Sequence, residues 1–390
     1  MKSKNIVFVH GLFGWGPGEL GGMPYWGHAM EAFKEDFAVH EACCGPVSSF
    51  HDRACEVFAQ IKGVPVDYGA QHSLNEGHKR TSKRFGGQCF VKDWSEDNPV
   101  ILVGHSAGAQ TCMQLQRLLA EDYWDCGSSA GWIEAIISIA GVLNGSTLPY
   151  LLGCDQSTGL LTGPVGHFLG KGVEVIGLAA QGPVKEFYDF KLDQWLGDKT
   201  PGNLEDLTSA LSASRFAQGE DNLAFDLSLQ GCWKANKQFT THPDTYYLSF
   251  VTSQTRKEEL FGRQVPEWGL NPLLALSGMY QGVFPGFNEP PIPGWGSGDL
   301  TAGKWQENDG AVSSISQRYP FTAGNHPVGG EGVLRREQLE TGKWYWEKAE
   351  DSTGRRFDHL DVVFGCGLDN AMVEAHQALY RILCARLRDL

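Results

Sequence analysis

The segment from Pro99 to Ala120 constrains this chain more than any other. Pro99-Val-Ile-Leu-Val103 is a β-branched apolar run, Gly104-His-Ser-Ala-Gly108 is a tight turn, and Gln110-Thr-Cys-Met-Gln-Leu-Gln-Arg-Leu-Leu-Ala120 carries apolar residues at helical spacing. A buried strand must therefore turn sharply into a helix at Ser106. The two glycines are required sterically, because side chains at 104 and 108 would collide with neighbouring elements. The helix points its first amides at the serine, which favours an oxyanion developing there. The alternative, a Gly-rich turn that merely exposes a serine, is disfavoured by the strand and helix on either side.

Other apolar runs repeat the first half of this pattern. Asn5-Ile-Val-Phe-Val9 ends in His10-Gly11, and Phe37–Ala42, Ile136–Ala140 and Thr245–Val251 read as further strands. Val362–Phe364 reads as part of a short late element, and 371–387 as an amphipathic helix. Strands alternating with helical stretches predict a mostly parallel central sheet flanked by helices, an α/β-hydrolase fold filling residues 1–390 as a single domain. Residues 145–233 lack strong strand runs and are expected to form an inserted cap. Residues 282–300, rich in Pro and Gly, read as an irregular loop.

Charge and hydropathy narrow the partners. The net charge of −14 opposes association with phosphate backbones and anionic membranes, so no nucleic-acid role is expected. No run of about 20 apolar residues is present to span a bilayer. Met1-Lys-Ser-Lys4 leads straight into a strand, so the expectation is a chain without a signal peptide, either intracellular or a mature secreted form. The ten cysteines include no Cys-x-x-Cys pair and read mostly as small buried apolar residues.

A serine is a weak nucleophile until an imidazole accepts its proton and a carboxylate fixes the imidazole tautomer, and in this fold the order is Ser, acid, His. Of the late histidines, His376 falls inside the terminal helix as a surface residue and His326 in a turn. His359, in Phe-Asp-His-Leu-Asp, is chosen. Asp309, in Glu307-Asn-Asp-Gly310, is the best-placed acid, with Asp299 and Glu307 as competitors. The oxyanion hole is expected from the backbone amides of Leu12 and Ala107. This combination predicts hydrolysis of carboxylic esters through an acyl-enzyme. The rivals are an esterase for short-chain or polymeric esters, an acyltransferase, and a catalytically silent scaffold.

Taken together, His10-Gly-Leu-Phe-Gly-Trp-Gly16, Asp52-Arg-Ala-Cys-Glu56, Tyr188-Asp-Phe-Lys-Leu-Asp-Gln-Trp195, Pro266-Glu-Trp-Gly-Leu-Asn271, Glu307–Gly310 and Asp358-His-Leu360 resemble the zinc-containing lipases of thermophilic bacilli and staphylococci, in order and over nearly the whole chain. The resemblance implies a lipase acting on acylglycerols or small esters at a lipid–water interface, with Ser106, Asp309 and His359 as its triad. It implies a structural zinc on Asp52, His72, His78 and Asp226, carried by an extra subdomain loop at 50–80 that packs with the cap. From spacing alone, His72 and His78 read as solvated loop residues; two imidazoles with two carboxylates suit tetrahedral zinc. The resemblance also implies calcium near Gly269, Asp361 and Asp369, and a lid over 156–182. There the glycines argue against one stable helix, each costing ~1 kcal/mol against alanine. Asp361 replaces a glutamate of the calcium site, and two further positions depart from the family pattern. Gly104 replaces alanine, and His51 replaces an aromatic residue before Asp52, where it either disturbs the metal shell or adds a ligand.

Overall fold

A computed structural model describes residues 4–390 apart from 83, 86, 180–187, 198, 200, 290, 322–324, 333–335, 352, 365–369 and 389. Seven strands form one sheet: β1 (Lys4–Val9), β2 (Phe37–Ala42), β3 (Val100–His105), β4 (Ile133–Ile139), β5 (Tyr246–Val251), β6 (Val328–Glu331) and β7 (Trp344–Lys348). Their spatial order is β6-β7-β5-β4-β3-β1-β2, and every neighbouring pair is parallel. Alternate residues serve opposite faces. Ile6, Phe8, Ile101, Val103 and Ile137 join one core, while Val7, Val9, Val100, Leu102 and Ile136 join the other. Burial on both faces explains why these strands read as unbroken apolar runs.

The sheet's late strands are not among those singled out in the sequence. Val362 and Val363 are buried, but in a turn, and the sheet continues instead through Trp344-Tyr-Trp-Glu-Lys348. Those aromatics pair in register with β5, Trp344 opposite Tyr247 and Tyr345 opposite Leu248. Aromatic side chains fill a pleated surface as well as β-branched ones do. The terminal helix is present at Asn370–Arg388. The nine described cysteines are all free, and six are buried.

Helix α1 (Phe50–Lys62) is capped by the Ser49 hydroxyl and lies against α2 (Ala107–Ala120). It is therefore part of the main α/β layer rather than of an extra loop. Beyond it, Val66–Asp67 pairs antiparallel with Thr81–Ser82 around a short helix at Ala70–Glu76.

Between β4 and β5 the described residues form helices and turns. The longest of the helices, α3 (Val165–Ala179), packs against α4 (Leu204–Leu211). The glycines do not prevent α3 from forming, because they stand at its contacts. A Cβ on Gly172 would lie 2.6 Å from the Phe13 ring, and one on Gly166 2.9 Å from Thr208. Close helix packing offsets the loss of propensity. No helix among the described residues is long and apolar enough to cross a membrane.

Candidate active site

Ser106 is the hinge between β3 and α2, with φ 54° and ψ −124°. A non-glycine residue in that region is strained, and the surroundings leave no alternative. A Cβ on Gly108 would sit 2.1 Å from the Val9 carbonyl oxygen, and one on Gly104 2.4 Å from the Gly108 carbonyl carbon. As the turn stands, neither position leaves room for a Cβ, so the alanine that Gly104 replaces would require the backbone here to shift.

The structure brings His359 and Asp309 together from segments 50 residues apart. The His359 Nδ1–H donates to Asp309 Oδ2 at 2.8 Å, and the His359 backbone N–H donates to the Asp309 carbonyl at 3.0 Å. Asp309 is wholly buried, yet its carboxylate is satisfied. Oδ1 takes the amides of Ala311 and Val312 at 2.9 and 2.7 Å; Oδ2 also takes Thr252 Oγ1 at 2.6 Å and Gln317 Nε2 at 3.1 Å. With Nδ1 protonated toward Asp309, Nε2 of His359 keeps its lone pair. His326 instead contacts Thr241 and the Asn236 carbonyl. His376 is buried rather than on the surface, its Nδ1 bonded to the Asp361 carbonyl.

Leu12 and Ala107 flank Ser106 from two sides. Among the described residues, no acceptor lies on either amide. The loop that carries Leu12 is tied down elsewhere: Phe13 N–H donates to Pro46 O at 3.0 Å, and buried Arg53 donates to the carbonyls of His10 and Gly45 and to Thr111 Oγ1. Burial, together with Arg53 nearby, keeps the His10 pKa well below the usual range, so this imidazole stays neutral. Ser106, His359 and Leu12 open on one cavity of about 480 Å³, walled largely by apolar residues such as Val142, Leu148, Phe168 and Leu227. The roof is α3, whose Phe168 packs on Phe13 with ring centroids 5.5 Å apart.

A second constellation lies outside this cavity. Asp52, His72, His78 and Asp221 place one ligand-type atom each within 4.8 Å of all the others. His72 Nε2 is 3.2 Å from Asp52 Oδ1 and 3.5 Å from Asp221 Oδ2; His78 Nε2 is 3.8 and 3.3 Å from the same oxygens. All four atoms are buried and lack a hydrogen-bond partner. Burial alone would lower the His72 pKa, but the two carboxylates outweigh it and lift it to about 10; that of His78 is raised too. Four orphaned polar atoms converging on one point are costly unless something neutralises them. The cluster can hold a metal ion. The His78 Nδ1–H donates to Lys79 O at 2.8 Å, which turns Nε2 inward, and Gln194 Nε2 holds Asp52 Oδ2 at 3.0 Å.

Residues 2–125 match the family model described as the lipase-like, C-terminal domain. The chain is 28% identical to a lipase of Staphylococcus hyicus over 382 residues, covering 94% of this chain and 55% of that protein. Its sequence is similar to those of the staphylococcal lipases over most of its length. The chain spans about half the length of the curated relatives it matches. Among solved structures, EstA from Clostridium botulinum superposes with a TM-score of 0.80 at 29% identity, over 100% of this chain and 88% of that one. Lipase 1 from Pelosinus fermentans superposes at 0.75 and 28%, over 100% of both chains. The parallel sheet and these neighbours make this an α/β-hydrolase fold.

The fourth cluster residue is Asp221, which corrects the expectation of Asp226. Asp226 points away, and its Oδ2 accepts the N–H of Phe50 at 2.5 Å. The two aspartates flank the cap residue Asn222 of a one-turn helix at Leu223–Asp226, so five positions separate an inward from an outward side chain. Gly219-Glu-Asp-Asn222, a polar turn before a helix, is the signal that marks Asp221. His51 neither joins nor disrupts the cluster. Its ring stacks on His72 with centroids 3.7 Å apart, and its Nε2 meets Tyr68 O at 2.9 Å. Asp361 lies just after His359, and its Oδ2 accepts the Asp358 N–H at 3.0 Å. The Gly269–Asn271 turn reaches the same place, because Asn271 N–H donates to Asp358 Oδ2 at 2.6 Å. Asp369 lies outside the described residues.

Proposed function

We propose that this protein is a lipase-type carboxylic ester hydrolase working through an acyl-enzyme on Ser106. The observation that carries this reading is the convergence on one apolar cavity of a strained elbow serine, a buried Asp309–His359 pair and two amides without acceptors. His359 Nε2 takes the Ser106 Oγ proton as Oγ attacks the ester carbonyl. The amides of Leu12 and Ala107 hold the oxyanion, a contribution of about 3 kcal/mol per donor. The tetrahedral intermediate collapses as His359 protonates the leaving alcohol, and water deprotonated by the same imidazole then releases the acid. The apolar cavity accepts the acyl chain, and α3 is the lid that opens to admit it from a lipid–water interface.

The cluster of Asp52, His72, His78 and Asp221 suits zinc in a closed, structural site. When bound, zinc would neutralise the two carboxylates and brace residues 66–82 against the cap. A calcium ion beside Asp361, where the Gly269–Asn271 turn comes in through Asn271, would also favour the ionised form of buried Asp358, whose pKa burial and Asp361 push up to about 8.

The test is Ser106→Ala assayed on p-nitrophenyl esters of increasing chain length and on emulsified triglyceride. Loss of all turnover, with the wild type favouring longer chains and emulsions, supports a lipase. A preference for short soluble esters moves the reading to a small-ester esterase, and ester exchange outrunning hydrolysis moves it to an acyltransferase. Unchanged turnover in Ser106→Ala overturns the mechanism.

A further inference from the structure

Two buried polar residues beside the site, Tyr25 and His105, have no part in the acyl-enzyme steps. Tyr25 Oη lies 3.0 Å from the Gly11 backbone nitrogen and 2.7 Å from His105 Nδ1. His105 Nε2 lies 3.1 Å from the His359 carbonyl oxygen. We propose that Tyr25 and His105 are positioning residues, forming a hydrogen-bonded tie that fixes the oxyanion-loop amide of Leu12 relative to the imidazole of His359. This rests on the ester-hydrolase reading of the same site.

The donor inventory sets the direction of every bond. The Gly11 N–H can only donate, so Tyr25 Oη accepts it, and the single phenol hydrogen is then directed at His105 Nδ1. Nδ1 must therefore be the unprotonated nitrogen. A neutral imidazole then carries its hydrogen on Nε2, which faces a carbonyl that can only accept. The chain reads Gly11 N–H to Tyr25 O–H to His105 to His359 C=O, and no member is left unsatisfied. The opposite tautomer would set a lone pair against the His359 carbonyl and leave the phenol hydrogen without an acceptor. A charged imidazole is opposed by complete burial and by neighbouring His359.

Both ends of the tie meet groups whose placement decides the reaction. The Gly11 carbonyl and the Leu12 N–H belong to one planar peptide and point in opposite directions. That carbonyl is held by the Gly14 N–H at 3.2 Å and His10 Nδ1 at 2.9 Å, while Tyr25 holds the Gly11 N–H, so the Leu12 N–H is aimed rather than free to rotate. At the other end, His359 is gripped by Asp309 at Nδ1 and at the backbone N–H, and by His105 at the carbonyl. His105 is itself the residue before Ser106. The tie therefore spans oxyanion donor, nucleophile and base in three hydrogen bonds, all among buried residues. Preorganisation of this kind acts on the transition state rather than on substrate binding.

The experiment compares Tyr25→Phe, His105→Gln and the double variant with the wild type on soluble p-nitrophenyl butyrate. It reads kcat, KM, melting temperature and the inhibition constant of a trifluoromethyl ketone, which forms a tetrahedral adduct on serine. Tyr25→Phe is expected to lower kcat about 10- to 100-fold with KM within about twofold, and to weaken the ketone by the same factor. His105→Gln, whose amide N–H still reaches the His359 carbonyl, should retain part of the rate. The double variant should be no slower than the slower single one, because both cut the same tie. A kcat for Tyr25→Phe within twofold of wild type overturns the proposal. So does a loss confined to KM, or a lowered melting temperature with unchanged ketone affinity. Should Tyr25→Phe fail to fold, His105→Gln is judged by the same criteria. Ser106→Ala run alongside separates the two readings: if it keeps turnover, the hydrolase reading falls, and if it is inactive while Tyr25→Phe is fully active, only the tie falls.

Discussion

Replacing Asp309 by asparagine tests the site at its least forgiving position. Oδ1 receives two backbone amides, at 2.9 and 2.7 Å, and an NH₂ group placed there would set donors against donors. The NH₂ is thus forced to the Oδ2 position. There it meets Thr252 Oγ1, which can rotate to accept, and Gln317 Nε2, which cannot flip freely because its Oε1 already takes the Thr252 N–H at 2.7 Å. It also meets His359 Nδ1, which would have to accept. The imidazole would then carry its proton on Nε2, facing the serine, and could not act as a base. From a serine-protease precedent for the same tautomer inversion, kcat should fall by about 10⁴, or about 5.4 kcal/mol in barrier height.

The assay is initial-rate hydrolysis of p-nitrophenyl butyrate, a soluble ester that avoids any requirement for an interface. The rate of labelling by a fluorophosphonate, which needs the same base, should fall in parallel. The new donor–donor contact at Gln317 should cost some stability, so denaturation midpoints are measured on both proteins to ensure that the folded enzyme is compared. A kcat within tenfold of wild type in a folded Asp309→Asn protein would refute the assignment of Asp309 as the group that sets the His359 tautomer.

Other outcomes follow from the same geometry. Purified protein should contain one zinc per chain, and 1,10-phenanthroline should remove it and lower the melting temperature; Asp221→Ala should lose the metal while Asp226→Asn keeps it, and metal analysis showing the reverse pattern sinks the ligand set. Gly108→Ala should destabilise by about 3 kcal/mol or more, seen as a lower urea midpoint at unchanged slope, because its Cβ would sit 2.1 Å from a backbone oxygen that cannot rotate away. Burial chiefly, and Asp52 beside it, push the Glu56 pKa up to about 8 against hydrogen bonds from Gly45 and Tyr68. The folded chain then holds a proton that the unfolded chain loses near pH 4.5, so stability should decline as pH rises from there to about 8, by on the order of 5 kcal/mol at most. Glu56→Gln should flatten that decline in a stability–pH series, and an unchanged slope would show that another group titrates.

Legibility in the sequence follows the range of the forces involved. The elbow at Ser106 and strands β1 to β5 are readable because a buried parallel strand and a strand–helix turn are local requirements on consecutive residues. The late strand is not, because Trp344-Tyr-Trp-Glu-Lys348 and Val362–Phe364 are both short apolar runs, and only pairing with β5, nearly a hundred residues earlier, separates them. His376 escapes for a related reason: a helix pattern does not reveal that one polar residue turns inward to bond the Asp361 carbonyl. The same holds for Asp221 and Asp226. Both stand in one turn of polypeptide, and the direction in which each points is set by Asn222 capping a four-residue helix. The glycines of α3 argue locally against a helix, and only the proximity of Phe13 and Thr208 gives them a reason.

The segment Tyr188–Trp195, whose sequence is so distinctive, gains a physical explanation from what it connects. Its first residue donates from Tyr188 Oη to the Gly14 carbonyl at 2.6 Å, on the loop that carries Leu12. Its middle residue, buried Lys191, pairs with Glu19 at 2.9 Å, farther along the same region. Its last residues reach the Asp/His cluster, where Gln194 holds Asp52, the Gln194 carbonyl takes the Lys79 N–H at 2.9 Å, and Trp195 packs on His78 with ring centroids 4.7 Å apart. Eight residues thus join the oxyanion loop to the cluster. Apart from the backbone bond between Lys79 and Gln194, these contacts depend on specific side chains, and leaving buried Lys191 or Gln194 unpaired would be costly. Substitutions in a strap of this kind should cost more stability than substitutions in a surface loop. A metal that fixed Asp52 and His78 would fix one end of it, so a site remote from the proposed chemistry would help to hold the shape of the loop that carries Leu12.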